Sequence, residues 1–205
     1  MPAPTTISVD GVTLTLTVER KRVRNINARL RGTQLFVSAP LHAAQRQLDT
    51  AIPDLARRLI RRVRAQEINA QDDALALVQE VAKRFPTPPQ VEQVQFVTTQ
   101  ESRWGSYSAV TRTIRLNAVL RAMPDWVLKA VVAHELAHVF HLNHSSAFKQ
   151  LLRRVYPDTD RADMFLSGVS WLVQQWEHLP PVERGLLTRA ASYGEEMPAS
   201  EDGDG

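Results

Sequence analysis

From Val12 to Val18 apolar residues alternate with Thr13, Thr15 and Thr17. That period of two predicts a half-buried strand, entered through the turn signal Asp10-Gly11. A second stretch, Arg24 to Leu30, leads through Arg31-Gly32-Thr33 into Leu35-Phe36-Val37, so residues 1–40 are expected to form a small antiparallel meander ended by Pro40. The period then changes. Leu48, Ile52, Leu55, Leu59 and Val63 repeat at helical spacing, with Pro53 expected to kink that helix or begin a new one. Leu75, Val78, Ala82 and Phe85 mark a further amphipathic segment, stopped by Pro86-Thr87-Pro88-Pro89. Strands are predicted at Val91 to Thr98 and Thr113 to Ala118, joined by a turn-like segment from Ser102 to Ser108.

Helical spacing returns at Val127, Leu128, Val131, Val132, Leu136, Ala137 and Val139, behind the start signal Pro124-Asp125. It recurs at Phe148, Leu151, Leu152 and Val155, where Ser145 or Ser146 can cap. A last helix carries Phe165, Val169, Leu172 and Trp176, a stripe that reads most simply as core. No internal repeat is present. The order of elements predicts an α+β fold, with a mostly antiparallel sheet and a helix packed on it.

The chemistry concentrates on that helix. His134-Glu135-Leu136-Ala137-His138 puts two imidazoles four residues apart, an advance of about 400° and about 6 Å, so both rings leave one helix face. Zinc takes neutral imidazole nitrogens at about 2.0–2.1 Å, and a catalytic site keeps three protein ligands and one open position. The expected reading is a zinc hydrolase with Glu135 as general base. Four of the six histidines, His134, His138, His141 and His144, fall in this one segment. His144 is the first candidate for third ligand, with Asn143 as a left-handed helix terminator that would swing it back. His141 lies on nearly the same helical face and is its rival, and Glu177 is a more distant one. His42 and His178 read as ordinary solvated or core histidines.

The chain has no cysteine, so any metal must rely on histidine and carboxylate. Its 205 residues suit one catalytic domain with appendages. No apolar run reaches transmembrane length, and the start lacks the basic flank and apolar stretch of a secretory signal, so a cytoplasmic protein with no membrane contact is expected. The net charge is +3, but Glu195, Glu196, Glu201, Asp202 and Asp204 crowd the last eleven residues. Without them 25 bases face 17 acids. Weak nucleic-acid contact through this basic body is one expectation. The densest cluster, Arg57, Arg58, Arg61, Arg62 and Arg64, reads better as a solvated helix face, since no aromatic residue interleaves with it.

Several stretches taken together resemble one family. Arg103-Trp104-Gly105-Ser106, Leu116-Asn117 with Leu120, the His134 to His138 motif, and Asn143-His144-Ser145 with Phe148 are similar to the YgjP-type metal-dependent hydrolases, relatives of the SprT-like and WLM zinc peptidases. The resemblance spans roughly Gly11 to Asp158 in element order, and its specific motifs lie between Arg103 and Phe148. It implies His144 as the third ligand and a zincin-like fold whose strand beside the active helix can align an extended substrate. Tyr107 and Ala137 stand where the family commonly has cysteine, and Lys149 where tryptophan is frequent; none of these removes a ligand or the base.

The organisation expected is therefore an N-terminal β-meander (1–40) packed on a zincin-like metallohydrolase core (41–180), with a flexible acidic C-terminal tail (181–205). The expected activity is that of a metallopeptidase using a zinc-bound water, with polypeptide as substrate and Arg103, Trp104, Tyr107, Asn117 and His141 as candidate substrate contacts. The alternatives are hydrolysis of a nucleotide phosphoanhydride on the same zinc site, and a nucleic-acid-associated binding module in which zinc is structural. A structural site needs no base, so the intact Glu135 weighs against the last.

Overall fold

A computed structural model describes residues 5–71 and 74–193 of the chain. Two small sheets and six α-helices make a mixed α+β architecture. The first sheet contains β1 (Thr5–Val9), β2 (Val12–Lys21), β3 (Asn27–Arg31) and β4 (Gln34–Pro40) in the order β1-β2-β4-β3. The β1–β2 hairpin turns on Asp10 (φ 50) and Gly11 (φ 77), both left-handed as the two-residue turn that matches strand twist requires. Gly32 (φ 56) opens the equivalent turn between β3 and β4.

This sheet is not the expected meander, because β4 runs parallel to β2 and lies between it and β3. Burial supplies the reason. Leu35, Val37 and Ala39 are 0 to 2% exposed, the most buried inward row of the four strands, and the central position covers them from both sides. The second sheet is also mixed. It contains β5 (Gln93–Val97), β6 (Gly105–Ser108) and β7 (Thr113–Asn117) in the order β5-β7-β6, with β5 parallel and β6 antiparallel to β7. The segment read as turn-like thus contains a strand at its end.

Helix α1 (Gln45–Gln71) runs unbroken through Pro53. Proline there removes a bond to the carbonyl of Asp49, and Asp49 is exposed, so water can satisfy the orphan group. Leu48, Ile52 and Ala56 of α1 close a first apolar cluster over the β1–β4 sheet. Ile68, near its other end, belongs to a second cluster with α2 (Ala74–Ala82), the β5–β7 sheet, α3 (Asp125–Ala137), α4 (Ser146–Val155) and α5 (Thr159–Gln175). The arginine-rich face of α1 is largely ion-paired: Arg57 with Asp10 and Asp54, Arg61 with Asp10 and Glu101, Arg64 with Glu67. Asn69 meets the outer edge of β5, its amide donating to the Phe96 carbonyl at 2.8 Å and its Oδ1 accepting from the Phe96 N–H at 2.8 Å.

In α3, Val127, Ala130 to Ala133 and Glu135 to Ala137 are all buried. It is a central helix apolar on most sides, packed between the second sheet, α2 and α5. The expected core stripe of α5 is displaced: Thr159, Ala162 and Leu166 are its buried residues, while Phe165 is 36% exposed. The small Ala162 lets α5 approach α3 closely. Residues Pro181–Tyr193 form a further helix, α6, where a flexible tail was expected. Pro181 suits a first helical position and Glu183 lies in the first turn. The acidic end beyond it lies outside the described residues. Among the described residues no helix is long and apolar enough to cross a membrane.

Candidate metal centre

Helix α3 stops at the motif itself. His138 is its C-cap, and the N–H groups of Val139, Phe140 and His141 fold back onto the carbonyls of Leu136 and Ala137. The terminator expected at Asn143 is therefore absent: among the described residues only Asp10 and Arg112 are non-glycine residues with positive φ. Tight 3-10-type bonds end the helix instead, and the short excursion from Val139 to Asn143 returns His144 to the helix face. Ser145 then caps α4, its hydroxyl accepting from Phe148 N–H at 3.4 Å.

His134, His138 and His144 come together, each offering one ring nitrogen, and the three atoms lie within 4.8 Å of one another. His134 Nε2 and His144 Nε2 are 2.9 Å apart. Two ligands of a tetrahedral ion with bonds of about 2.0–2.1 Å stand about 3.3 Å apart, so small ring rotations bring the set to ligand spacing. Burial, with the neighbouring His138 and His144, lowers the His134 pKa to about 4, and burial lowers that of His138. Neutral imidazole is the form a cation needs. His141 contributes its backbone rather than its ring. Its carbonyl lies 3.0 Å from His138 Nδ1, an arrangement that puts the proton on Nδ1 and leaves Nε2 free to ligate. Phe148, 1% exposed, packs all three rings at centroid distances of 5.0, 4.7 and 4.9 Å.

Glu135 is 5% exposed. Burial lifts its carboxyl to about 7, opposed by the charge of Arg103 and by a hydrogen bond from the Tyr107 backbone N–H. Strand β6 lies directly against it. A Cβ on Gly105 would stand 2.6 Å from Glu135 Oε1 and 2.9 Å from its Cγ and Cδ, so the absent side chain at Gly105 is the space the carboxylate occupies.

These groups face a cleft of about 450 Å³, bordered by Arg103, Trp104 and Tyr107 on one side and by Ala162, Asp163 and Leu166 of α5 on the other. Asn117 does not line it. Its Oδ1 accepts from Val119 N–H at 3.1 Å and its amide donates to the carbonyls of Gln100 and Arg103 at 2.9 and 3.4 Å, which caps the 3-10 turn Ala118–Ala122 and ties down the loop carrying Arg103. The α5 wall had no sequence signal, since its small and apolar residues match any packed helix. Nor did Gly105, since it falls within the segment Ser102 to Ser108 read as turn-like, where a glycine is ordinary.

Three imidazoles, two from the end of α3 and one from the connection to α4, converge beside a buried carboxylate in a mixed α+β scaffold, an arrangement of the class of metal-dependent hydrolases. Comparison narrows it: residues 69–167 match the family described as YgjP-like, metallopeptidase domain. The family implies a metal ion. Among solved structures the chain is similar to the metallopeptidase zymogen of Pyrococcus abyssi abylysin, at 21% identity and a TM-score of 0.41, over 48% of this chain and 93% of that one. It is also similar to the zymogen of Methanocaldococcus jannaschii jannalysin, at 22% identity and a TM-score of 0.37, over 47% and 96%. No curated protein matches the chain.

Proposed function

We propose that the chain is a zinc-dependent peptidase in which His134, His138 and His144 hold the ion and Glu135 is the general base. The observation that carries this reading is the convergence of three ring nitrogens within 4.8 Å on the helix that also bears a buried carboxylate. An all-imidazole set with no thiolate suits zinc. Bound there, the ion would supply Lewis acidity, polarising a carbonyl and acidifying water.

The remaining work falls to the chain's own groups. Glu135, a buried carboxylate beside the histidines, is placed to accept a proton and return it to a departing amine. The Tyr107 N–H and Gly105 hold that carboxylate in place. The His141 carbonyl fixes the His138 ring, and Phe148 keeps all three rings in register while excluding water from their far side. As the edge of its sheet, β6 borders the cleft, and an extended polypeptide laid along it would present its carbonyls to the histidines.

The cleft walls favour polypeptide over nucleotide. Apart from histidine, Arg103 is the only cation among the described lining residues, and Asp163 opposes it, whereas a triphosphate calls for several cations. A structural zinc site would have no use for a buried base at an open cleft.

Two experiments test the reading. Zinc-loaded protein incubated with an unstructured polypeptide should cleave it and leave nucleoside triphosphates intact, and Glu135→Gln should abolish cleavage while keeping the metal. Metal analysis of His144→Ala and His141→Ala should show zinc lost from the first alone. Turnover of triphosphates but not of polypeptide would replace the peptidase reading with the phosphoanhydride one.

A further inference from the structure

Away from the cleft, the N-terminal sheet carries a concentration of positive charge separate from the arginines of α1. Residues 1–40 carry six bases against two acids, whereas residues 41–194 carry nineteen against fifteen. Both acids of the first group are engaged, Asp10 by Arg57 at 3.2 Å and Glu19 by Lys21 at 2.7 Å. Arg20 donates to the carbonyls of Leu41 and Ala43. Arg22, Arg24, Arg29 and Arg31 have no ion pair among the described residues.

Strand register sorts these side chains by face. Leu35, Val37 and Ala39 point to α1, so Gln34, Phe36 and Ser38 point outward. Phe36 is opposite Arg29 on β3 and Thr17 on β2, and Gln34 is opposite Arg31. The outer face therefore holds a phenyl ring, 39% exposed, with one guanidinium beside it and a second one repeat along the strand, about 6.7 Å further. A trough of about 620 Å³ runs over this face, bordered by Thr17, Glu19, Lys21, Arg29, Arg31 and Phe36 among others, with the Glu19 carboxylate held by Lys21. Threonine, serine and glutamine surround the ring, so it is not the centre of an apolar patch for a protein partner.

We propose that this outer face of the β1–β4 sheet binds single-stranded nucleic acid, with a base stacked on Phe36 and the adjoining phosphates on Arg29 and Arg31. A flat ring in a sheet trough, flanked by cations at strand spacing, is a stacking platform that needs no particular base. The face of a base is reachable only where the strand is unpaired, which sets single strands above duplex. The site is independent of the cleft and of the peptidase reading.

The test is fluorescence anisotropy of the full chain with labelled oligothymidylate and oligouridylate of about twenty nucleotides and with a duplex of equal length, from roughly 50 to 200 mM salt. Both single strands should bind more tightly than the duplex. Phe36→Leu, apolar but without a π-face, should weaken binding about five-fold or more, and Phe36→Trp should match or exceed the wild type. The double variant Arg29→Gln/Arg31→Gln should lower the slope of log affinity against log salt by about 1.4, two phosphates at about 0.7 each. Arg58→Gln/Arg62→Gln on α1 should change neither quantity. Circular dichroism should leave all variants folded, and the Phe36→Trp arm and the salt slope read the site without relying on a disruptive change. No binding at the lowest salt, equal affinity for duplex, full retention in Phe36→Leu, or an equal effect of the α1 variant would each overturn the proposal.

Discussion

Gly105→Ala asks whether β6 holds the carboxylate of Glu135 where the chemistry needs it. The new Cβ would meet Glu135 Oε1 at 2.6 Å and its Cγ and Cδ at 2.9 Å, against ordinary carbon contacts of about 3.5–4.0 Å, so the carboxylate must retreat by close to 1 Å. Gly105 has no left-handed backbone, and alanine is free to adopt its conformation. The effect is thus a collision with one side chain. Overpacking of this kind costs about 1–3 kcal/mol, a fall in Tm of about 2–4 °C per kcal/mol at this chain length. A 1 Å misplacement of a reacting group costs about 10²-fold in rate. Zinc-loaded Gly105→Ala should therefore keep its full metal content, since no histidine moves, and lose about 10²-fold in kcat on an unstructured polypeptide with little change in KM. Gly168→Ala is the control. Its Cβ meets nothing within 4 Å, and in a helix interior alanine should stabilise by about 0.5–1 kcal/mol and leave turnover alone. Wild-type kcat in metal-replete Gly105→Ala would refute the assignment of β6 as the wall that places the base.

Three more outcomes follow from the same geometry. In metal-free protein, the Glu135 carboxyl is raised to about 7 from 4.5, so the folded state takes up the proton first and loses stability as pH rises from 4.5 through 7. His134 is lowered to about 4 from 6.5, so its contribution is full above 6.5 and is lost as pH falls toward 4. The two oppose each other. Glu135→Gln removes the first and should stabilise metal-free protein at pH 8 by up to about 3 kcal/mol, with the gain gone near pH 4.5; urea unfolding at both values checks it, and an equal or weaker variant at pH 8 would sink it. Phe148→Ala should cost about 3–5 kcal/mol and weaken zinc retention against a chelator, because three rings lose their common wall; unchanged retention would count against that role. Asn69→Leu leaves the N–H and carbonyl of Phe96 without partners and should cost about 1–3 kcal/mol by denaturant titration, and a variant as stable as wild type would show that water replaces the amide.

Local chemistry was readable in the residues, and long-range pairing was not. Asp10-Gly11 and Gly32-Thr33 turn as their φ preferences require, and the helix bearing His134 and His138 starts at Asp125 as Pro124-Asp125 indicates. Parallel pairing of β2 with β4 and of β5 with β7 has no local signature, because alternation within a strand says which face is buried and not which neighbour it meets. Pro53 marked a break that exposure of Asp49 makes unnecessary. The end of α3 was misplaced for a related reason: Val139 continues the apolar spacing, yet the backbone has already closed onto Leu136 and Ala137. In the site, His134 and His138 announced themselves by spacing. The His141 carbonyl and the α5 wall could not, since a backbone atom and an alanine carry no distinguishing residue type.

Helix α1 reaches from one apolar cluster into the other without a hinge. Its 27 residues make a rod of about 40 Å, and neither end can unravel without exposing the cluster it seals. Heating should accordingly melt the chain in one step, and a ligand seated on the outer strands would raise the temperature at which the histidine cleft comes apart as well.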